Sequence, residues 1–471
     1  MSMLIANHFT QGEEVKVQYP VGAGMDIITG KFLEGKNNRW HLCGGWNKIM
    51  GFGGRGNTYK STLERYGSVT VTGRYTNNGH IILDSEDSVE LDRYYQQCAM
   101  WPSLAGVDLV EENRLRISDT GTTLNAFVKA LRNASAQIAG MKDLDKYRVT
   151  LKYINKRGEQ VRVIPPTVVE IDSLTKALVD VVEDIYDKHE IGDSEMNVEA
   201  MRGMAAKTQA INQLPKVTTQ SNFYIGMVAH MTNAINVGGK FAPDTKQLAG
   251  LKNGIKFVGV PNSYTFLTNT LFICQKTTPL INSGDKMPEY PADPKSKDVS
   301  SDLVEVDIYT VRCKTAPTGY GTRVVCSQSM GVQPHLTNLH NLRVHFKYYG
   351  LGNNNTNFAC DIYPDVKMTR NTARIKIDED PLLCRALEIT HELRQMHQVY
   401  PDRYKEWLCD PAELYTDLKE KGYDWHKMLA TRGYPVSDEQ EVNEPLPELS
   451  TLDILRLRTG DLELDEFKVS K

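Results

Sequence analysis

Residues 54–61 read Gly54-Arg55-Gly56-Asn57-Thr58-Tyr59-Lys60-Ser61. This stretch matches the phosphate-binding pattern G-x-x-x-x-G-K-[ST] at every defined position except one, where Tyr59 replaces the second glycine. Loops of this kind wrap a phosphate with backbone N–H groups, and the helix that follows adds its positive end. The stretch therefore predicts a strand, a phosphate loop and a helix, which together begin a nucleotide-binding α/β fold.

The side chains of the loop have separate expected roles. Lys60 would reach the β- and γ-phosphates, and the Ser61 hydroxyl would hold Mg²⁺. The remaining cradle residues are Gly54, Arg55, Gly56, Asn57, Thr58, Tyr59 and Thr62. Because Tyr59 lacks the freedom of glycine at positive φ, we expect a loop conformation that an L-residue tolerates.

Length and composition are those of a soluble globular protein. The 471 residues suffice for two or three domains, with 40% hydrophobic and 24% charged residues. The net charge of −4 restricts any nucleic-acid site to a local basic patch. The eight cysteines form no C-x-x-C pair, which favours a reducing, cytoplasmic compartment over zinc sites or disulfides. Neither a membrane-spanning apolar run nor a signal peptide is expected.

Apolar runs alternate with helical patterns between residues 30 and 330, which predicts a largely parallel sheet covered by helices. The predicted strands are Asn47–Gly51, His80–Asp84, Thr167–Asp172, Phe223–Ala229 and Thr270–Cys274, and the clearest predicted helix is Asn197–Leu214. Residues 148–163 alternate around an Asn-Lys-Arg-Gly turn and predict a hairpin. Residues 282–302, rich in Pro, Lys and Asp, predict an exposed loop.

The sequence predicts four parts along the chain. They are a lead-in over 1–29 that could contact a neighbouring subunit, an α/β core over 30–330, a small C-terminal domain over 331–436 and an acidic tail over 437–471. The tail carries ten Asp/Glu against four Lys/Arg. One short amphipathic helix is expected in it, at residues 451–458.

Three predicted strands end in residues suited to phosphate chemistry. One ends in Asp172, where a carboxylate can orient Mg²⁺ and its waters. A second ends in Asp84 and is followed by Glu86, a candidate for positioning the attacking water. A third is followed by His230, a candidate polar sensor. Each residue alone could be an ordinary strand end or helix cap, but their order behind the loop favours one hydrolytic site.

With these residues the chain resembles the RecA-type recombinases, most closely their phage UvsX branch. The resemblance is carried by Ile191–Met196, Ala200–Met204, Gln220–Asn222 and Val311–Pro317. UvsX-type proteins also have an aromatic residue at the second-glycine position and a histidine at the sensor position, as Tyr59 and His230 are here. The similarity spans roughly residues 18–330, and residues 331–435 are left unassigned by it.

The resemblance implies a RecA-like P-loop core that binds ATP and Mg²⁺ and hydrolyses ATP. The implied catalytic residues are Lys60, Glu86 and His230, with Arg312 and Lys314 reaching the ATP of the neighbouring subunit. Ser61 and Asp172 would hold the metal, and Asp84 would support Glu86.

The implied DNA-binding segment covers residues 231–262, which contain five glycines, four lysines and one acid. Its candidate DNA contacts are Lys240, Phe241, Lys246, Lys252, Lys256 and Phe257, joined by Lys188 from a first DNA loop near Asp184–Ile191. Lysines suit the phosphate backbone and phenylalanines suit base stacking. The simpler alternative is a flexible surface loop.

The implied function is that of an ATP-dependent DNA recombinase, phage-encoded and active in the bacterial cytoplasm. It would form helical filaments on single-stranded DNA and promote pairing with a homologous duplex in recombination, repair and recombination-dependent replication. Its partners would be single- and double-stranded DNA, further copies of the chain, and a single-strand-binding protein or mediator. Two alternatives stay open: a RecA-fold ring helicase, and a nucleotide-gated DNA-coating filament with little ATP turnover.

Overall fold

A ten-stranded sheet organises the chain in the computed structural model, which describes residues 15–75, 78–189, 198–233, 248, 251, 255–296 and 299–469. The strands are β1 Lys31–Glu34, β2 Trp40–Cys43, β3 Ile49–Gly54, β4 Gly79–Asp84, β5 Leu115–Ser118, β6 Val149–Ile154, β7 Gln160–Val163, β8 Thr167–Asp172, β9 Phe223–Asn233, β10 Ile255–Phe257, β11 Thr270–Pro279, β12 Leu303–Cys313, β13 Gly321–Ser327, β14 Gly331–Val332, β15 Phe358–Cys360 and β16 Tyr363–Met368. The α-helices are α1 Asp26–Thr29, α2 Lys60–Arg74, α3 Leu91–Cys98, α4 Leu124–Ala139, α5 Asp180–Lys188, α6 Glu199–Ile211, α7 Leu214–Ser221, α8 Ser263–Leu267, α9 Pro334–His340, α10 Ala373–Glu379, α11 Pro381–Val399, α12 Pro411–Glu420, α13 Trp425–Leu429, α14 Asp438–Asn443 and α15 Thr451–Thr459.

Six neighbouring strands of the large sheet are parallel, in the spatial order β11-β3-β9-β8-β4-β5. Antiparallel strands β12, β13 and β14 extend the sheet beyond β11, and β10 pairs with the end of β9. The five strands predicted from the sequence are β3, β4, β8, β9 and β11, and they are neighbours. The predicted α/β fold with a mostly parallel sheet is confirmed.

Helices cover both faces of this sheet, and alternating strand residues point into two separate hydrophobic clusters. In β9, Tyr224 and Val228 belong to one cluster, whereas Ile225 and Met227 belong to the other. The first cluster includes α2, α9 and α11, and the second includes α4, α6 and α7. Burial on both faces explains why these strands read as continuous apolar runs.

The predicted hairpin is confirmed, since β6 and β7 pair antiparallel with Val149 opposite Val163. Its inner face is buried through Leu151 and Tyr153, and the Tyr153 hydroxyl donates to the backbone oxygen of Leu42 (2.8 Å). The hairpin therefore packs onto the β1–β2 pair outside the large sheet. The described residues of 282–302, namely 282–296 and 299–302, form the expected loop, although Glu289 and Tyr290 are buried within it.

The C-terminal part shares the core of the sheet. Strand β14 joins the large sheet, and Leu336 of α9 and Leu387 of α11 lie in the same buried cluster as Val306 of β12. The sequence predicted a separate domain over 331–436, whereas the structure has one continuous core across that boundary. Most of the described lead-in residues are also buried in this core, including Tyr19 and Ile27.

Residues 437–469 are folded rather than a free acidic tail. The predicted helix is present as α15, but it is buried, with Leu452, Ile454 and Leu455 at 0% exposure. Asp453 is equally buried and binds Arg39 with a 2.5 Å ion pair. Apolar and ion-paired residues on all sides of this helix explain why it enters the core. None of the described helices is long and apolar enough to cross a membrane.

Candidate nucleotide site

Four of the predicted site residues lie at the carboxyl ends of adjacent parallel strands. Gly54 of β3 is paired with His230 of β9, and Asp84 of β4 is paired with Asp172 of β8. Because β3, β9, β8 and β4 are consecutive in the sheet, the four residues share one edge. Ligands of open α/β sheets bind at this edge.

The loop between β3 and α2 has the compact geometry of a phosphate cradle. A Cβ atom on Gly54 would lie 2.5 Å from the Thr58 hydroxyl, so glycine is required there. The Thr58 hydroxyl and the Lys60 ammonium both donate to the backbone oxygen of Arg55, at 2.8 and 2.6 Å. Lys60 is 5% exposed, and it is the first residue of α2, whose N-terminal N–H groups face the loop.

Tyr59 itself adopts the left-handed conformation, with φ 58° and ψ 26°. This small region is open to L-residues at a cost of about 1–2 kcal/mol. The ring is partly buried against the hydrophobic cluster that contains α2, and burial raises the pKa of its hydroxyl. The tyrosine therefore takes the backbone geometry expected of the missing glycine.

Ser61 and Asp172 form a pair of oxygen donors. The Ser61 hydroxyl donates to Asp172 Oδ1 at 3.0 Å. Asp172 is 3% exposed, and burial raises its pKa to about 6 despite the bond from Ser61. Both residues line a cavity of about 380 Å³. A hydroxyl and a carboxylate beside a cavity fit Mg²⁺, which binds through few protein oxygens and takes its other ligands from phosphates and water.

Glu86 and His230, predicted from separate strands, are in contact. Glu86 Oε1 lies 3.0 Å from His230 Nε2 and accepts a 2.5 Å hydrogen bond from the Ser173 hydroxyl. Both side chains are 29% exposed. Glu86 lines the same cavity as Ser61 and Asp172, so a carboxylate is available to a water molecule there.

Asp84 supports this arrangement through the backbone. Its carboxylate accepts the N–H groups of Glu86 (3.3 Å), Ser88 (2.9 Å) and Val89 (2.8 Å). These bonds fix the turn that carries Glu86, as an Asx turn does. The predicted supporting role of Asp84 is therefore structural, through the loop.

Sequence reasoning missed the serines that follow both aspartates. The Ser85 hydroxyl donates to the backbone oxygen of Ser173 and accepts the Ser173 N–H, both at 2.8 Å. These bonds join the ends of β4 and β8. The sequence did contain a signal for this pair, because each strand ends in an aspartate that is followed directly by a serine.

Two arginines of the cavity were also missed. The cavity is lined by Asn57, Ser61, Thr62, Arg65, Glu86, Ser88, Glu90, Arg93, Tyr94, Gln97 and Asp172. Arg65 is bound to the buried carboxylate of Glu170. Arg93 donates to the backbone oxygen of Gln328 (2.8 Å) and forms no ion pair within the described part of the chain. Its positive charge thus remains available to an anion.

Arg312 and Lys314 lie away from this edge. The Arg312 guanidinium donates to the backbone oxygens of Thr268 (3.1 Å) and Phe266 (3.3 Å), and Lys314 Nζ donates to that of Leu267 (3.4 Å). These carbonyls precede β11, which runs parallel to β3, so the two cations lie at the amino edge of the sheet. They do not reach the loop of their own chain.

Of the residues expected to contact DNA, the structure describes Lys188, Lys256 and Phe257, and they differ in exposure. Lys256 is exposed on β10, whereas Phe257 is 6% exposed and packs edge-on against Tyr264. A buried ring offers no face to a base, which corrects the stacking role expected of Phe257. Lys240, Phe241, Lys246 and Lys252 lie outside the described residues.

The first predicted DNA loop is partly helical. Residues 184–188 belong to α5, and Lys188 at its end is exposed and lies 3.6 Å from Asp184. This correction follows from the helical pattern of α5, whose buried Val182 and Ile185 lie on one face. Residues 190–191 lie outside the described part.

A direct contact joins the loop to the predicted DNA-binding segment. Arg55 Nη2 donates to Asn233 Oδ1 at 2.6 Å. Asn233 is paired with Ile255 in the antiparallel ladder between β9 and β10. Both ends of the intervening segment are thereby anchored beside the phosphate loop.

Comparison with known proteins adds no relative to this description. Neither a scan against protein-family models nor a search of curated proteins matches the chain. The functional interpretation consequently depends on the residues and geometry of the site.

Proposed function

We propose that this chain is an ATP-dependent DNA recombinase of the RecA type that forms helical filaments on single-stranded DNA. The observation that carries the proposal is the convergence of three features at one sheet edge. These are the loop with Lys60, the Ser61–Asp172 oxygen pair, and Glu86 in contact with His230. Together they supply the parts that hydrolysis of a nucleoside triphosphate requires.

The chain's own residues have distinct roles in this reaction. Lys60 and the N-terminus of α2 bind the phosphates, and Glu86 orients the attacking water and receives its proton. His230, in contact with Glu86, reports the presence of the γ-phosphate to β9. Mg²⁺ held by Ser61 and Asp172 would neutralise phosphate charge. Water adds to the γ-phosphorus, and ADP leaves with the electrons of the broken P–O bond.

Two contacts favour coupling of hydrolysis to DNA. Arg55 of the loop binds Asn233, and His230 beside Glu86 lies on the same strand three residues earlier. His230 immediately precedes the basic segment of 231–262, and Asn233 lies within it. A conformational change in that segment on binding a DNA backbone would therefore alter the positions of the loop and of Glu86. Nucleotide binding at the loop would alter the DNA affinity of the segment by the same coupling free energy.

The location of Arg312 and Lys314 favours a head-to-tail assembly of copies of the chain. Because these cations lie at the sheet edge opposite the loop, they can act on ATP only in another copy of the chain. A contact between opposite edges is head-to-tail, and such contacts generate helical assemblies when the rotation does not close. Hydrolysis would then depend on assembly.

The test is ATP hydrolysis with and without single-stranded DNA. We expect stimulation by DNA in the wild type, loss of hydrolysis in Lys60→Ala and Glu86→Gln, and retained DNA binding in Glu86→Gln. Glu111→Gln is the matched control, since Glu111 is exposed and lies outside this cavity. Closed hexamers that unwind a forked duplex would favour a helicase, and hydrolysis at background would favour a DNA-coating scaffold.

A further inference from the structure

Lys207 is a buried cation that connects three segments around the candidate site. It lies on α6, is 8% exposed, and donates from Nζ to the backbone oxygens of Leu174 (2.8 Å), Thr175 (3.0 Å) and Gly259 (3.0 Å). The three N–H donors of the ammonium thus have three acceptors. Within the described part of the chain it forms no ion pair, so carbonyl oxygens compensate for its burial.

The peptide held by this ammonium also positions the two candidate catalytic side chains. Ser173 donates its hydroxyl proton to Glu86. The Thr175 hydroxyl accepts the backbone N–H of His230 at 2.8 Å. A shift of this peptide would therefore move both Glu86 and His230.

The third acceptor links the same peptide to β10. Gly259 follows β10 by two residues, and at φ 60° its missing Cβ allows close approach to the Thr175 oxygen. The Thr175 hydroxyl donates to Val258 O (3.0 Å), and the Val258 N–H donates to His230 O (2.9 Å). Lys207 thus joins the candidate site to the strand that leaves the predicted DNA-binding segment.

We propose that Lys207 is a positioning residue for hydrolysis: its ammonium fixes the peptide of residues 173–175, and through it Glu86 and His230. This inference rests on the proposed ATPase function and adds a residue that lies outside the nucleotide cavity. Burial lowers the pKa of the Lys207 ammonium to about 8. Lys207 therefore places an ammonium group where burial disfavours its charged form, and such perturbed groups are common at functional sites.

A cavity next to Lys207 would allow an added small cation to take the place of its ammonium group in a truncated variant. It has a volume of about 510 Å³, includes Lys207 in its wall, and lies between α5 and α6 beside Val182 and Met204. Truncation to alanine would extend this cavity to the three carbonyls. A small cation such as ethylammonium fits such a space and can donate to the same oxygens.

The experiment compares Lys207→Met and Lys207→Ala with the wild type in DNA-stimulated ATP hydrolysis. Lys216→Ala, an exposed lysine on α7, is the control. We expect both Lys207 variants to keep KM for ATP and to lose roughly 10- to 100-fold in kcat, the loss typical of misplaced catalytic groups. Ethylammonium should restore kcat in Lys207→Ala and leave Lys207→Met unchanged.

Three results would overturn the proposal. They are an unchanged kcat in Lys207→Met, a kcat loss accompanied by an equal loss of ATP binding, and a kcat loss in Lys207→Ala that ethylammonium leaves unaltered. The last two would assign the effect to packing. A wild-type chain that hydrolyses no ATP would instead overturn the proposed function and the positioning role together, so the two failures are distinguishable.

Discussion

Tyr59 illustrates how one side chain can break a sequence pattern and keep its geometry. Glycine is usual at this position because the backbone turns left-handed there, and Tyr59 adopts that turn with φ 58°. The strain of about 1–2 kcal/mol is offset by partial burial of the ring against the hydrophobic cluster. The loop therefore keeps the left-handed turn of the phosphate-loop pattern as well as most of its residues.

Substitutions at Tyr59 should distinguish the contribution of its backbone conformation to nucleotide affinity from that of its ring. Tyr59→Gly is expected to change nucleotide affinity by less than about tenfold, or about 1.4 kcal/mol, because glycine adopts the same φ freely. Tyr59→Val should weaken binding more, since a β-branched residue tolerates this φ poorly. Titration with a fluorescent ATP analogue measures both. If Tyr59→Gly lost binding while Tyr59→Phe kept it, the ring itself would contact the nucleotide.

Candidate site residues could be predicted from the sequence when the pattern that marks them is local. They were missed when their hydrogen-bond partners lie far away along the chain. Lys60, Asp172 and His230 were found because a loop pattern and strand ends are local features. Their convergence followed once the strands were taken as parallel neighbours. Lys207 was missed because its partners lie 32, 33 and 52 positions away. Phe257 was misassigned because composition does not reveal which face of a strand is buried.

At the scale of elements, a buried ion pair fixes α2 against the sheet. Glu170 lies in the middle of β8 with 0% exposure, and it accepts from Arg65 Nε of α2 (2.6 Å) and contacts His80 Nε2 of β4 (2.9 Å). Burial by itself would raise the pKa of Glu170, but Arg65 and His80 hold it at about 2. This explains how a carboxylate is accommodated inside an apolar strand, which the sequence pattern alone left unexplained.

Removing Arg65 alone should lower the free energy of unfolding more than removing Arg65 and Glu170 together. Arg65→Met leaves Glu170 buried without its cation, and we expect a loss of about 3–5 kcal/mol in the free energy of unfolding. The double variant Arg65→Met/Glu170→Met should recover most of this loss. Urea unfolding measures each variant, with the exposed Arg162→Met as control, expected within about 0.5 kcal/mol of wild type. Additive losses in the double variant would contradict this account.

At the scale of the molecule, the C-terminal segment belongs to the core. The acidic count of residues 437–471 predicted a solvated tail, but 14 of its 33 described residues are buried. Five of these are leucines, and Asp453 forms an ion pair with Arg39 near the N-terminus. Arg39 and Asp453 lie 414 positions apart, a pairing that charge content along the chain cannot reveal. Only the helix itself, a local pattern, was predictable.

Truncation after residue 436 should therefore abolish folding. The shortened chain loses Asp453 and the apolar side chains of α15, and we expect it to be insoluble or to lack a cooperative thermal transition. The control Asp438→Asn/Glu439→Gln/Glu441→Gln, which removes three negative charges, should fold. These residues bind the hairpin surface through Thr150, Lys152 and Gln160, and the additional contact of Glu441 with Arg432 is long, at 3.4 Å. Circular dichroism of a soluble 1–436 chain with a wild-type melting curve would disprove this.

We propose that nucleotide hydrolysis in this chain serves homologous pairing of DNA. The most direct measurement is formation of joint molecules between a single-stranded circle and a linear duplex. We predict joint molecules that require ATP and homology, that form with Glu111→Gln and that are lost with Lys60→Ala. Absence of joint molecules from wild-type protein that hydrolyses ATP on single-stranded DNA would contradict the claim.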